Sequence, residues 1–390
     1  MAHDAWAGRH RRSIVAAFAE TGVYSRILKQ PFAFPNTRDP GHRGLLVGRP
    51  NTLACTMTPR VCLIVNPSAG GGKAGRALPD VEHALQAHGL RVRRELTRDL
   101  AHARELAREA AVAGETVVCL SGDGMVGAVA DILREVPGAL MGVLPGGRGN
   151  DLARVLGIAE DPVLACATVA GGFSRKIDLG EVGGRAFVGI ASAGFDSDAN
   201  RIANEAPARL GNLVYAYGAL RALLGWHPAR FHVRLDPDGG HDGGPPGESH
   251  AFTGYSVAAA NSKAYGGGML LAPDALLDDG LLDVVAIERV SKLRFLANLP
   301  KVFKGTHVKL SSVRVWRARE VEISADRPFT LYADGDPIGE LPVRVRAAPG
   351  AVRMLVPREG TGEQAFLHGH ASEQGRPGER AGSDPAAAGR

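Results

Sequence analysis

Two glycine-rich turns, Ser121-Gly122-Asp123-Gly124-Met125 and Leu144-Pro145-Gly146-Gly147-Arg148-Gly149-Asn150-Asp151, decide how this chain folds. Each follows an apolar run typical of a buried strand, residues 116–120 and 139–144, and each precedes a helical pattern. A strand that passes through a glycine turn into a helix directs backbone N–H groups and the positive end of the helix dipole at one point. Because each turn also carries an acidic residue, the pair predicts a site for a nucleotide polyphosphate and its metal ion.

The sequence on either side of these turns alternates strand and helix. Strand patterns cover residues 61–66, 91–96, 116–121 and 139–144, and helical patterns cover residues 77–88, 101–113, 126–135 and 152–156. Brief loops join them, and this order predicts an α/β domain with a parallel sheet covered by helices. We expect this domain to span residues 58–176.

From about residue 177 the chain consists mainly of short β-rich runs, which predict a second, mostly antiparallel domain over residues 177–357. Helical patterns interrupt it near residues 199–224 and 292–303. Residues 1–57 show weak periodicity, which indicates either a flexible arm or an extension from a misassigned start codon. Residues 358–390 are rich in Gly, Pro, Ala, Glu and Arg and predict a disordered tail.

Composition and charge argue against a nucleic-acid partner. The net charge is +5, but residues 1–60 contain nine Lys or Arg and three acids, so the remainder is close to neutral. Aromatic residues make up only 5% of the chain. The four cysteines show no CxxC spacing, and no apolar run approaches the roughly 18 residues of a membrane-spanning helix. These features predict a soluble protein with reduced thiols.

A third glycine-rich loop, Asn66-Pro67-Ser68-Ala69-Gly70-Gly71-Gly72-Lys73, follows the first predicted strand. It is not a Walker-type loop, because Pro67 and Ala74 stand where that pattern requires Gly and Ser or Thr. The loop either faces phosphate or only connects strand and helix, and Lys73 either faces phosphate or is solvated.

Near the end of the second domain lies Asp334-Gly335-Asp336, between two strand patterns. Asp-Gly is a common hairpin turn, so the segment is either a plain hairpin or the source of a catalytic carboxylate. Phosphoryl transfer needs such a carboxylate to receive a hydroxyl proton, and it needs Mg²⁺ to bridge the phosphates. Asp123, beside the predicted polyphosphate, is the candidate ligand of that Mg²⁺.

Taken in order, these motifs resemble the diacylglycerol kinase catalytic-domain family, which includes soluble bacterial lipid kinases and the sphingosine and ceramide kinases. The resemblance covers roughly residues 60–357. Further segments that fall in the family's order are Ile177-Asp178-Leu179-Gly180, Gly194-Phe195-Asp196, Ala272-Pro273-Asp274-Ala275 with Asp279-Gly280-Leu281-Leu282-Asp283, and Asp334-Gly335-Asp336.

The resemblance implies a Rossmann-like N-terminal domain of the NAD kinase/diacylglycerol kinase type and a C-terminal β-sandwich-like domain. It allows the last strand to return to the first domain. It implies an ATP-dependent kinase that phosphorylates a lipid hydroxyl, converting diacylglycerol to phosphatidate in phospholipid biosynthesis. It further implies a cytoplasmic protein in peripheral contact with the inner membrane face, and it alone suggests a homodimer.

The resemblance also implies roles for particular residues. Asp334 or Asp336 is the base, Asp123 holds the catalytic Mg²⁺, and a structural Mg²⁺ binds the Asp279 side chain with the carbonyls of Leu276 and Leu281. The ATP site is lined by Asn66, Pro67, Ser68, Gly71, Gly72, Lys73, Thr97, Ser121, Gly122, Asp123, Gly124, Met125, Gly127, Gly147, Arg148 and Asn150.

Three residues depart from the family pattern: Met125 and Arg148 each replace a Thr, and Asp336 replaces a Glu. A guanidinium at position 148 either clamps phosphate or is exposed and idle. The alternatives are therefore a kinase for a sphingoid-type or other lipid alcohol, an NAD kinase on the same scaffold, or a catalytically silent nucleotide or lipid sensor.

Overall fold

The computed structural model describes residues 59–204, 218, 221–223, 225–239, 247–358 and 364–366. The predicted N-terminal arm, residues 1–57, lies outside the described residues, as do most of the predicted tail and much of the predicted helix over residues 199–224.

The first half of the described chain alternates strands and helices, as its sequence predicts. Its elements are β1 (Arg60–Val65), α1 (Ala69–Ala87), β2 (Arg91–Leu96), α2 (Leu100–Val112), β3 (Thr116–Ser121), α3 (Asp123–Leu133), β4 (Leu140–Pro145), α4 (Asp151–Val155) and α5 (Pro162–Gly171). β1 and β3 are apolar at nearly every position and almost wholly buried, because helices cover both faces of the sheet.

These four strands run parallel in the order β2-β1-β3-β4. Parallel strands bring all their carboxyl ends to one edge of the sheet. Val65, Ser121 and Pro145 end three adjacent strands there, so the three glycine-rich loops that follow them lie side by side.

The second half is mainly antiparallel, and its helices are few. Its elements are β5 (Phe173–Val182), β6 (Arg185–Phe187), β7 (Ile190–Gly194), α6 (Phe195–Asn204), β8 (Ala229–Leu235), β9 (Ser249–Ala260), β10 (Leu282–Glu288), α7 (Lys292–Phe303), a 3₁₀ turn (Thr306–Lys309), β11 (Val313–Ala318), β12 (Glu320–Ala325), β13 (Thr330–Ala333), β14 (Asp336–Glu340) and β15 (Val343–Val356). The main path of strands is β14-β13-β7-β9-β8-β12-β15-β4-β3-β1-β2, with β10 and β11 branching from β9, and β5 and β6 branching from β15.

β15 connects the two halves. Its first residues pair antiparallel with β12, most of its length pairs antiparallel with β5, and Arg353 and Met354 pair parallel with β4. The sequence patterns over residues 343–347 and 352–356 therefore belong to one strand, which a register shift between Ala348 and Val352 interrupts. The predicted boundary between residues 176 and 177 falls inside β5, which spans both positions.

Two large apolar clusters form the core, one beneath the parallel strands and one between the antiparallel layers. Part of the predicted disordered tail belongs to the first cluster, so that prediction is wrong at residues 364–366. Ala365 and Phe366 are buried, the Leu277 N–H donates to the Ala365 carbonyl at 2.7 Å, and the Arg175 guanidinium lies 4.2 Å from the Phe366 ring. Composition does not reveal that these residues pack against the core.

Candidate functional site

The three glycine-rich loops contact one another closely enough to exclude side chains. A Cβ on Gly70 would lie 2.6 Å from the carbonyl oxygen of Gly146, and one on Gly147 would lie 2.4 Å from the Cα of Gly122. Such separations are available only to glycine. The glycines therefore allow three backbone segments to meet at the carboxyl edge of β1, β3 and β4.

The first loop contains a run of left-handed backbone. Gly70, Gly71 and Gly72 have φ values of 60, 68 and 85°, so the regular helix α1 begins after them, close to the predicted start. The Gly72 N–H donates to the Ser68 carbonyl at 3.2 Å, so the N–H groups of Gly70 and Gly71, at the start of α1, are the donors of this loop that remain for an anion. The Asn66 side chain fixes the entry to this loop by accepting from the Ser68 N–H at 3.1 Å. Lys73, directly after the run, is exposed.

The loop after β4 is held by Asn150, a residue with a left-handed φ of 52°. Its Oδ1 accepts from the Gly147 N–H at 2.8 Å, and its Nδ2 donates to the Gly147 carbonyl at 3.1 Å. Asp123, from the loop after β3, accepts from the Leu152 N–H through Oδ1 at 3.2 Å. Asp123 thus links the second and third loops in addition to its predicted role as a metal ligand.

A cleft of about 120 Å³ opens beside these loops. Its lining contains positively charged side chains whose relative positions could not be predicted from the sequence. It is formed by Lys73, Pro145, Gly147, Arg148, Asn150, Ala153, Arg154, Ile158 and Glu160. Arg154 already pairs with Asp151 and Glu160, so Lys73 and the exposed Arg148 are the cations that can meet a bound anion.

Thr97 and Met125 lie together at the end of β2. The Thr97 hydroxyl donates to the Val65 carbonyl at 3.2 Å and lies 4.0 Å from the Met125 sulfur. Met125 is buried in the first turn of α3. At this position the structure favours an apolar packing role for the residue that departs from the family's Thr.

Asp334 sits in the tight turn between β13 and β14, with a left-handed φ of 51°. Its two carboxylate oxygens accept from the Val188 and Gly189 N–H groups, both at 2.8 Å. A Cβ on Gly127 of α3 would lie 2.7 Å from Asp334 Oδ2, so Gly127 makes room for this carboxylate. Burial raises the pKa of Asp334 to about 7; the two N–H groups oppose that shift, and the charges of Asp123 and Asp336 add to it.

Asp336 faces the first turn of α3. A Cβ on Gly124 would lie 3.5 Å from Asp336 Oδ2, so the two halves of the protein bring this carboxylate against the loop that carries Asp123. Burial raises the pKa of Asp336, and the positive charges of Arg185 and Arg104 partly oppose that rise. No described residue donates a hydrogen bond to the Asp336 carboxylate.

Sequence reasoning missed the contact that joins the third glycine loop to the second half. Asp151, the acidic residue of the second turn predicted to bind a polyphosphate and its metal ion, is 6% exposed, and its Oδ2 accepts from the Gly267 N–H at 2.8 Å. Its Oδ1 accepts from Arg154 at 2.9 Å. Burial and the charge of Asp123 raise the pKa of Asp151, while the Gly267 and Gly268 N–H groups lower it. The run Gly266-Gly267-Gly268 is the sequence signal that could have revealed this contact.

A second missed residue lies behind that contact. Asp196 lies in Gly194-Phe195-Asp196, one of the segments that fall in the family's order. Its carboxylate is hydrogen-bonded to Ser256 and Tyr265, and burial raises its pKa to about 6. Tyr265 directly precedes the Gly266–Gly268 run. Asp196 and Asp151 therefore flank the same short segment from two sides.

The predicted structural Mg²⁺ site has one suitable carboxylate. Asp279 Oδ1 accepts from the Leu281 N–H at 3.0 Å, whereas the buried Oδ2 has no hydrogen-bond partner among the described residues. The nearest cation to Oδ2 is a guanidinium nitrogen of Arg317 at 3.7 Å, and burial raises the pKa of Asp279. No group of three or more His, Cys, Asp or Glu in the described ranges is arranged to hold a metal. Asp279 Oδ2 is thus the carboxylate oxygen here that has no hydrogen-bond partner among the described residues and is of the type a hard cation binds.

Comparisons with known proteins agree with this architecture. Residues 60–182 match the family model of the diacylglycerol kinase catalytic domain, and residues 189–356 match that of the YegS C-terminal NAD kinase beta sandwich-like domain. A diacylglycerol kinase of Mycobacterium tuberculosis (strain ATCC 25618 / H37Rv) is 32% identical over 311 residues, which cover 77% of this chain and 96% of the relative. A probable lipid kinase YegS-like protein of Chromohalobacter salexigens is 31% identical over 298 residues, covering 73% and 91%.

Solved structures from Bacillus anthracis str. Sterne share the fold. One matches with a TM-score of 0.65 and 21% identity, and covers 79% of this chain and 98% of its own. Another, a diacylglycerol kinase, matches with a TM-score of 0.60 and 19% identity, covering 77% and 98%.

The parallel half, the sandwich-like half and the glycine-rich edge where they meet are the architecture of the diacylglycerol kinase class. The chain belongs to the diacylglycerol kinase catalytic-domain family, and it is a lipid kinase. The predicted family and fold class are thereby confirmed. No helix in the described part of the chain combines the length and the apolar composition that crossing a bilayer requires.

Proposed function

We propose that this lipid kinase transfers the γ-phosphoryl group of ATP to the free hydroxyl of diacylglycerol and releases phosphatidate and ADP. The observation that carries the proposal is the placement of Asp336 against the first turn of α3, beside the meeting point of three glycine loops. A carboxylate from one half thus faces a polyphosphate cradle from the other. The name of the M. tuberculosis relative supports diacylglycerol as the acceptor.

The polyphosphate of ATP would lie across the three loops. The backbone N–H groups of Gly70 and Gly71 would supply neutral donors, and Lys73 and Arg148 would supply positive charge from the adjoining cleft. Phosphoryl transfer requires little more of the protein than correct placement and charge neutralisation. Bound Mg²⁺ would neutralise charge on the phosphates, and the Asp123 carboxylate is the residue placed to hold it.

We assign the role of base to Asp336, not to Asp334. Both oxygens of Asp334 already accept N–H groups at 2.8 Å, so this carboxylate has a structural role. Asp336 keeps its oxygens for a ligand, and burial raises its pKa, which makes it a better proton acceptor. It would take the proton of the lipid hydroxyl as that oxygen bonds to the γ-phosphorus and the bond to the β-phosphate oxygen breaks.

The test of the acceptor is transfer of label from γ-labelled ATP to a panel of diacylglycerol, a sphingoid base and NAD. Label in phosphatidate is the expected result. Label in a sphingoid phosphate or in NADP would replace the proposed acceptor. Binding of Mg·ATP without any labelled product would indicate a nucleotide or lipid sensor.

Paired variants test the base. Asp336→Asn should abolish turnover while leaving the thermal midpoint within a few degrees. Asp334→Asn should lower stability and retain measurable turnover, because Asn can still accept one N–H. A near-normal rate in Asp336→Asn, with a dead but folded Asp334→Asn, would move the assignment to Asp334.

We also propose that Asp279, with carbonyls of Leu276 and Leu281, holds a structural Mg²⁺. A bound ion stabilises the folded state by mass action. Added Mg²⁺ should therefore raise the thermal midpoint of the parent protein and not that of Asp279→Ala. An equal rise in both proteins would exclude this site.

A further inference from the structure

The segment 289–319 carries an unusual concentration of positive charge. It contains nine Lys or Arg and no Asp or Glu. The net charge of the chain beyond residue 60 is close to zero, so it does not reveal this positively charged run. Helix α7 lies near its start and contributes Lys292, Arg294 and Lys301, with Lys304 directly after the helix.

One face of α7 is anchored to the protein. Phe295 lies 4.3 Å from the ring of Tyr255 and 4.9 Å from that of Phe195, and Leu296 packs against the same apolar cluster. No residue of the helix is fully buried. The contacts fix the orientation of α7 and leave its opposite side directed outward.

The outward side combines positive charge with an apolar side chain. At 100° per residue, Leu293, Arg294, Lys301 and Lys304 fall on the side opposite Phe295 and Leu296, and all four are exposed. We call these four residues the basic face. Leu293 is 80% exposed, the highest fraction of any large apolar residue that the structure describes.

The cations of the basic face are not used by the fold. Arg294, Lys301 and Lys304 form no ion pair with a described residue, whereas Arg314 and Arg317, later in the segment, pair with Glu288, Asp279 and Asp283. Fixed, uncompensated positive charge beside an exposed leucine is the pattern of a surface that binds an anionic lipid interface.

The basic face also lies near the candidate site. The Leu270 N–H donates to the Val302 carbonyl of α7 at 3.1 Å. Three residues earlier, Gly267 donates to Asp151 of the third glycine loop. One short segment therefore contacts both α7 and the edge of the nucleotide cleft, so a bilayer that touches α7 is close to where a lipid acceptor must enter.

We propose that the basic face of α7 docks this protein on a bilayer surface that carries anionic headgroups, with Leu293 inserted among the acyl chains and Arg294, Lys301 and Lys304 at headgroup level. The proposal rests on the proposed function, since a kinase whose acceptor is diacylglycerol must reach a lipid that stays in the membrane. It names the surface that makes this contact.

The first experiment measures binding of the full chain to vesicles by sedimentation. Vesicles of phosphatidylcholine alone are compared with vesicles that also contain phosphatidylglycerol. The parent protein should prefer the anionic vesicles, and Lys301→Gln/Lys304→Gln should weaken that binding roughly 10- to 30-fold at low salt, given the usual contribution of a basic residue at an anionic surface. The control Arg91→Gln/Arg319→Gln removes the same charge from exposed positions elsewhere and should bind within about twofold of the parent.

A second variant separates insertion from charge attraction. Leu293→Gln should weaken vesicle binding about 3- to 10-fold, and this loss should persist at high salt, because it reflects apolar burial. The loss in Lys301→Gln/Lys304→Gln should shrink as salt rises, because salt screens the headgroup charge. Unchanged binding in both variants, with unchanged thermal midpoints, would overturn the proposal.

Activity measurements keep this proposal distinct from the proposed function. On a short-chain diacylglycerol dissolved as monomers, the α7 variants should match the parent, whereas on diacylglycerol in anionic vesicles they should lose rate in proportion to binding. Loss on both substrates, with vesicle binding intact, would contradict docking through α7.

A changed oligomeric state in sedimentation velocity, with vesicle binding intact, would assign the face to a second copy of the chain and would also overturn the proposal. Absence of activity in every protein would count against the proposed function and leave the binding comparison to decide docking.

Discussion

Two runs of three glycines, Gly70–Gly72 and Gly266–Gly268, have positive φ values throughout and differ in what they bind. Their φ values are 60, 68 and 85° in the first run and 61, 85 and 105° in the second. The second run binds the carboxylate of Asp151 through the Gly267 N–H at 2.8 Å. No described carboxylate accepts from the first run.

The occupied run shows what the open run is suited to bind. In Gly266–Gly268 the conformation directs N–H groups at an anion that the chain supplies itself, and the result is a joint between the two halves. In Gly70–Gly72 it does so at the edge where the nucleotide is proposed to lie. The same local geometry thus serves assembly in one place and, by our proposal, ligand binding in the other.

The largest effect is expected from Gly70→Ala. The new Cβ would lie 2.6 Å from the Gly146 carbonyl oxygen, so the first and third loops would have to separate. We expect kcat/KM for ATP to fall about 100-fold or more, as misplacement of a reacting group commonly does. The control is Gly89→Ala, which also has a positive φ of 80° but meets no atom within 4 Å and lies outside the site. Similar activities for the two variants would remove the first run from the nucleotide site.

The next largest effect is expected from Asp151→Ala, which removes the carboxylate that the run Gly266–Gly268 binds. This substitution removes the buried carboxylate that accepts from the Gly267 N–H, and it leaves Arg154 with Glu160 as its remaining acidic partner. The free energy of unfolding should fall by about 3 kcal/mol, and Asp151→Asn, which keeps one oxygen acceptor, should lose only about 1 kcal/mol. Chemical denaturation measures both values. Equal losses in the two variants would show that the contact with the glycines contributes little.

Asp334 is also a carboxylate held by two backbone N–H groups, but its donors do not belong to a run of glycines. Its contribution to the stability of the folded protein depends on pH. Its pKa is about 7 in the folded protein against an ordinary 3.8. Between those values the folded state binds more protons than the unfolded state, so the contribution of Asp334 to stability falls as pH rises from about 4 to about 7. Because one pKa unit corresponds to about 1.4 kcal/mol, the rise from 3.8 to about 7 corresponds to on the order of 4 kcal/mol.

Denaturation at several pH values checks the Asp334 effect. The parent protein should lose more stability than Asp334→Asn as pH rises through this window. Parallel pH profiles for the two proteins would show that Asp334 does not titrate there.

The smallest effects are expected from a matched pair, Gly71→Ala and Gly267→Ala. Both positions have a positive φ, 68 and 85°, and a Cβ at either would meet no atom within 4 Å. Each substitution should cost about 1 kcal/mol of stability through backbone strain alone. Gly71→Ala should also raise the KM for ATP several-fold, whereas Gly267→Ala should leave it unchanged. A higher KM for ATP in Gly267→Ala would contradict the assignment of Gly266–Gly268 to the joint between the halves and of Gly70–Gly72 to the ligand site.

Sequence patterns predicted the α/β half well because its signals are local. Each apolar run from residue 61 to residue 144 became a parallel strand, and each glycine loop lies at a strand end. The family and the two-part fold class were likewise predicted and are confirmed. The base, the ATP-lining residues and the metal ligands stay predictions, although the structure brings Asp336 against Gly124 and Asp334 against Gly127.

The features that sequence patterns missed depend on distant contacts. Asp334 is held by N–H groups about 145 residues earlier in the chain, and Phe366 is buried in a core formed by residues far from it in the sequence. The joint at Asp151 depends on a glycine run more than a hundred residues away. Local composition contains no information on such partners.

The position of β15 has a consequence for the order in which the protein can fold during synthesis. β4 obtains its outer neighbour only when Arg353 and Met354 leave the ribosome, more than two hundred residues after β4 itself. Until then the emerging nucleotide half presents an unpaired strand edge, which is a template for aggregation. A truncated chain that ends before β15 should therefore precipitate instead of forming a working N-terminal fragment.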